Sequence, residues 1–144
     1  MIQKTILLLE DDVLNRKLCQ IQLSKMGHIS YVAKNGEEAV KLYKFLLAAE
    51  SPQIDTSNVE YKGPVDIMIS DINLGAGING IETVRQIEEI KLIPVIFWSA
   101  QDREDIEHQL RGVEYPYWIM VKPTSMETCV STLEQAIAWQ EKQK

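Results

Sequence analysis

Hydrophobic positions follow two rhythms along this chain. Short, mostly apolar runs at 5–9, 29–33, 65–70, 94–98 and 117–121 alternate with longer stretches where apolar residues return every three or four positions. Runs of this length read as strands covered on both faces, and the longer spacing reads as helices with one buried stripe. The first predicted helix carries Leu14, Leu18 and Ile21 and stops at Gly27. Asn35-Gly36 turns the chain into a second helix, with Ala39, Val40, Tyr43 and Leu47 on one face. Ile81, Val84, Ile87 and Ile90 form the stripe of a third. The stretch 102–112 is a sparse helix anchored by Ile106 and Leu110. Thr124-Ser125-Met126-Glu127 has the form of a capping box and opens a last helix, striped by Met126, Val130, Leu133 and Ile137. Residues 49–64 break the rhythm with Pro52, Asp55, Asn58, Gly63 and Pro64, and predict an inserted surface loop of unusual length.

Five strands alternating with five helices predict an α/β fold, a doubly wound parallel sheet with helices on both faces. The 144 residues are expected to form a single domain. A hydrophobic fraction of 45% with 25% charged residues belongs to a globular chain with a core of its own. No apolar run approaches the roughly 20 residues that span a bilayer, and the N-terminus lacks the pattern of a signal peptide. A cytoplasmic location without membrane attachment is expected. The net charge of −6 argues against binding nucleic acid. Cys19 and Cys129 have neither C-x-x-C partners nor histidines at ligand spacing, and read as reduced, packed thiols.

In an open α/β sheet, ligands bind beyond the carboxyl ends of the strands. Strand one ends in Glu10-Asp11-Asp12, strand three in Asp71, strand four in Ser99 and strand five in Lys122. A lone Asp after a strand is a helix cap, and Asp12 taken singly fits that role. The set asks for more. Crowded carboxylates repel one another unless a cation joins them, and an all-oxygen donor set suits Mg²⁺. A carboxylate there can take up a phosphoryl group, with Mg²⁺ and Lys122 neutralising its oxygens and Ser99 donating a hydrogen bond. Competing α/β chemistries fit less well. No Gly-rich phosphate loop follows strand one, where three acids would repel a pyrophosphate. A dehalogenase-type phosphatase would need a second Asp where Asn73 stands.

With these residues in order, the sequence resembles a response-regulator receiver domain over essentially its whole length. The acids after strand one, Asp71, Ser99 and Lys122-Pro123 carry the likeness, reinforced by Asn15-Arg16, Asn35-Gly36-Glu37-Glu38-Ala39 and Asp71-Ile72-Asn73-Leu74. The resemblance implies the flavodoxin-like strand order 2-1-3-4-5. It implies that Asp71 accepts the phosphoryl group, that Asp11 and Asp12 hold Mg²⁺ together with Asp71 and the backbone carbonyl of Asn73, that Lys122 pairs with the phosphoryl group, and that Ser99 is the switch hydroxyl. It favours a cis bond at Lys122-Pro123. The donor would be a phosphohistidine on a sensor histidine kinase or a histidine phosphotransfer protein. The downstream protein would bind the face formed by helix four, strand five and helix five. Such a chain is a phosphoacceptor that turns over no outside substrate.

Four departures mark this member. Ser stands at 99 where Thr is commoner. Ile119 fills the usual aromatic position three residues before Lys122, with Tyr117 and Trp118 beside it. The loop 75–80 lacks the common Pro, and the insertion at 49–64 exceeds the usual length. Ile119 raises the alternative of an interaction module that does not switch, and the stretch 12–16 that of a receiver cut from a hybrid sensor kinase. No output domain is expected after the last helix.

Overall fold

The computed structural model describes residues 2–50, 61–75 and 77–144. Ten elements run in strict alternation: β1 Thr5–Leu9, α1 Val13–Lys25, β2 Ile29–Ala33, α2 Gly36–Ala48, β3 Ile67–Ser70, α3 Gly80–Ile90, β4 Val95–Ser99, α4 Arg103–Gln109, β5 Tyr117–Val121 and α5 Met126–Lys142. The strands form one parallel sheet in the order β2-β1-β3-β4-β5, the doubly wound α/β architecture that the alternation predicts. The inserted stretch 49–64 falls mostly on residues 51–60, which lie outside the described residues.

Alternate residues of each strand feed two cores. Leu7 and Leu9 of β1, Met68 of β3 and Phe97 of β4 pack with α2, α3 and α4. Ile6, Leu8, Ile67, Ile69 and Ile96 pack with Cys19 and Leu23 of α1 and with Cys129, Leu133, Ala136 and Ile137 of α5. All five residues of β1 are buried, which explains its mostly apolar run. Side-chain caps start every helix but α4: Asp12, Asn35, Asn79 and Ser125 accept from the amides of Asn15, Glu38, Glu82 and Thr128. Each cap satisfies an orphan donor and sets the direction in which its helix leaves the sheet.

One helix is turned against expectation. The stripe Leu14, Leu18 and Ile21 is the exposed face of α1, with 65%, 50% and 51% of each residue open. Arg16, Cys19 and Leu23 face inward instead. Both faces of this helix are apolar enough to read as a stripe. The contacts with α5 and β2 decide between them. Smaller differences follow the same logic. In α2, Leu46 is fully buried and Leu47 only partly. In α3, Ile90 is 38% exposed. In α5, Cys129, Thr132 and Ala136 join Leu133 and Ile137 inside, while Met126 is 39% exposed.

Candidate functional site

The carboxyl edge of the sheet gathers the charged residues. Glu10 follows the last residue of β1 and stays in the sheet direction, its amide donating to Ala33 O at 3.2 Å. It is fully buried. Asp71 follows β3, with its amide on Leu9 O at 2.9 Å. Its Oδ1 accepts from Ile72 N at 2.7 Å, and its Oδ2 accepts from Lys122 Nζ at 3.0 Å. Lys122 Nζ also pairs with Glu10 Oε1. Lys122 is placed by its own amide, which donates to Ser99 O at 2.8 Å, just before a cis peptide to Pro123. Close packing fixes the backbone of the acceptor. A Cβ at Gly80 would come within 1.7 Å of Asp71 O, so only glycine lets the first turn of α3 approach.

Carboxylate oxygens of Glu10, Asp11 and Asp71 all lie within 4.8 Å of one another. Burial pushes the Glu10 carboxyl up to about 7; Lys122 opposes that rise and the Asp71 charge adds to it. Burial would lower the Lys122 ammonium, but its bonds to Glu10 and Asp71 prevail and hold it above its ordinary value. One ammonium therefore serves two carboxylates directly, with a third close by. An oxygen donor set of this charge and size fits a hard divalent cation. Arg16, buried in α1, donates from Nη1 to Glu10 O at 3.0 Å and steadies the peptide that joins Glu10 to Asp11.

The model of the response regulator receiver domain matches residues 6–134. The chain belongs to the response regulator receiver domain family. A two-component response regulator of Arabidopsis thaliana is 28% identical over 102 residues, covering 69% of this chain and 61% of that protein. A transcriptional regulatory protein of Streptomyces coelicolor is 29% identical over 103 residues, covering 72% of this chain and 37% of that protein. The match thus spans less than two thirds of either relative. The N-terminal domain of a response regulator/sensory box/GGDEF protein from Carboxydothermus hydrogenoformans superposes with a TM-score of 0.74 at 26% identity, over 97% of this chain and 98% of its own.

Within this receiver fold, the predicted site residues divide. Asp11, Asp71 and Lys122 come together. Ser99 ends β4 beside them, 1% exposed, with Oγ accepting from Gln101 N at 3.3 Å. Asn73 lies exposed two residues beyond Asp71. Asp12 stands apart: its carboxylate is exposed and takes the amide of Asn15 as the cap of α1. Glu10 occupies the place in the acidic group that the sequence reading assigned to Asp12. The signal for Glu10 was present in the triplet Glu10-Asp11-Asp12, but three adjacent acids do not show where the strand stops. Two further residues lie against the site: Arg16, which the sequence marked only within the Asn15-Arg16 likeness, and Trp98, which carries no spacing signal. Trp98 lies under Lys122, with Nζ 4.5 Å from its ring centroid.

The position that is usually aromatic holds Ile119, 7% exposed. Tyr117 packs elsewhere on the same face, 6.3 Å from Phe97 and 6.5 Å from Tyr115 between ring centroids. Trp118 packs against the opposite core. Arg103 of α4 reaches β5 instead, with Nη2 donating to Ile119 O at 3.0 Å. No described helix is long and apolar enough to cross a membrane.

Proposed function

We propose that residues 1–144 act as one receiver unit that takes a phosphoryl group from a phosphohistidine onto Asp71. The observation that carries this reading is the buried Asp71 carboxylate held between Lys122 and the acids Glu10 and Asp11 at the carboxyl end of β3. An Asp71 oxygen attacks phosphorus, the P–N bond to the donor imidazole breaks, and a P–O bond forms. Lys122 neutralises the incoming phosphoryl oxygens, and Ser99 donates a hydrogen bond to one of them. Glu10, Asp11 and Asp71, with the Asn73 carbonyl, form the set that would hold Mg²⁺; when bound there it supplies the positive charge that the transferring group requires. Asp12 stays the cap of α1.

The donor is a sensor histidine kinase or a histidine phosphotransfer protein, in a cytoplasmic setting. The output is a protein that binds the face of α4, β5 and α5. The helix α4 is seven residues long and buries Ile106 alone along its length, which suits an element that shifts. Ile119 has few side-chain choices because it is β-branched, so it cannot swing as an aromatic side chain does. Phosphorylation therefore moves the stretch 99–101 and the start of α4 and leaves β5 nearly still. Hydrogen exchange with and without a phosphoryl mimic plus Mg²⁺ tests this: changes confined to 99–112 support it, and changes centred on 117–121 refute it. The phosphoacceptor assignment itself is tested by intact mass after treatment with a small-molecule phosphodonor and Mg²⁺. One acid-labile adduct is expected, and its absence overturns the reading.

A further inference from the structure

Trp98 sits where the proposed chemistry meets the sheet, one residue before Ser99 and against Lys122. The Lys122 ammonium lies 4.5 Å from the centroid of the indole ring. The ring is itself held in place. Its Nε1–H donates to Thr124 Oγ1 at 3.0 Å, and Thr124 Oγ1 donates to Val121 O at 2.8 Å. The rest of the side chain is half-buried against the core shared by α1 and α5. A lysine carries its charge on a flexible four-carbon stem, and ordering that stem is entropically costly. Glu10 and Asp71 both attract Nζ, so between them they leave it a choice of position. An aromatic face is a third, fixed attraction that narrows the choice, because the ring quadrupole favours a cation over its centre.

We propose that Trp98 is a positioning residue, whose ring holds the Lys122 ammonium ready for the phosphoryl group on Asp71. This deepens the phosphoacceptor reading and rests on it. The hydrogen bond to Thr124 ties the ring to the connection between β5 and α5, so the same backbone segment that carries Lys122 also orients the surface beneath it. The attraction acts only through the charge on Lys122, which separates it from ordinary packing.

Tetrafluorotryptophan at position 98 keeps the shape and the indole N–H but drains the electron density that attracts a cation. The rate of phosphoryl uptake from phosphoramidate with Mg²⁺, read by intact mass, is expected to fall about tenfold, with monofluorotryptophan between the two. Trp98→Leu is expected to slow uptake about as much in the otherwise unaltered chain and to add nothing in a Lys122→Ala background. An unchanged rate across the fluorinated series overturns the proposal, as does a Trp98→Leu effect that persists without Lys122. Should Trp98→Leu fail to fold, the fluorinated chains decide alone, since they preserve the packing. If the unaltered chain takes up no phosphoryl group at all, the phosphoacceptor reading fails instead.

Discussion

Two lysines, Lys4 buried and Lys122 partly buried, mark the two ends of the sheet, and their surroundings differ. Lys4, 3% exposed, precedes β1 and pairs with Glu141 near the end of α5, a carboxylate that also takes Lys144 Nζ at 3.1 Å. Nearby, Asp66 accepts the Thr5 amide at 2.8 Å. Ammonium and carboxylate groups there match in number. Lys122, 14% exposed, follows β5 and faces Glu10 and Asp71, with Asp11 beside them. Negative charge is in excess at that end; burial raises the Glu10 carboxyl to about 7, with the Asp71 charge adding to the rise and Lys122 opposing it. The first lysine belongs to a balanced clasp between a strand and a helix. The second belongs to a site with unmet demand for positive charge. Burial of a lysine thus says little by itself; the balance of partners separates structure from chemistry.

The largest expected contrast is in phosphoryl uptake. Asp71→Asn should abolish the acid-labile adduct, whereas Lys4→Met should leave it at full size; an adduct on Asp71→Asn would move the acceptor elsewhere. Next, Lys122→Ala should slow uptake by about 10²-fold, the usual effect of removing one preorganised charge from a site where charge develops. A rate within twofold of the unaltered chain would erase the distinction between the two lysines. Third, Mg²⁺ at about 100 times its Kd should stabilise the fold by roughly 2.7 kcal/mol in thermal or denaturant unfolding. Asp11→Asn should remove that increment and Lys4→Met should keep it. Equal increments in both variants would place the ion outside the acidic group.

The smallest expected effect concerns Glu88, a partly buried acid away from both lysines. Its Oε2 accepts from Ile93 N at 3.2 Å, while Oε1 is buried without a partner among the described residues. Burial pushes its carboxyl from the ordinary 4.5 up to about 8, against the pull of the Ile93 amide. The native state therefore holds this proton more tightly than the unfolded chain. Its contribution to stability is full below pH 4.5 and is lost as pH rises through about 8. Glu88→Gln should thus gain on the unaltered chain by about 1 kcal/mol at pH 9, after allowance for partial exposure, and show no such gain at pH 4. Denaturant unfolding at the two pH values checks this; an equal difference at both would assign the effect to packing.

Much of the architecture was legible because strand and helix leave different periods in the chain. The five apolar runs correspond to β1 through β5 within two residues at their ends. The polar residues that end those runs fall at the carboxyl edge, because a parallel sheet with crossover helices brings those ends together. Their spacing alone puts Asp71, Ser99 and Lys122 at that edge.

The tertiary structure decided what periodicity leaves degenerate. Which of two apolar faces of α1 turns inward depends on Cys129 and its neighbours in α5, more than a hundred residues away. Among Glu10, Asp11 and Asp12, the sequence shows only three acids in a row. The hydrogen bond from Glu10 N to Ala33 O keeps Glu10 in the sheet, and the one from Asn15 N to Asp12 makes Asp12 a cap. That places Glu10 beside Lys122 and draws Asp12 away from the acidic group. Trp98 and Lys122, 24 positions apart, meet because β4 and β5 are neighbours in register, with Trp98 opposite Met120. Local pattern sets which residues end strands, since it depends on hydrophobicity and backbone preference over a few positions. Contact between those ends depends on the order of strands and the register between them, which are properties of the closed sheet.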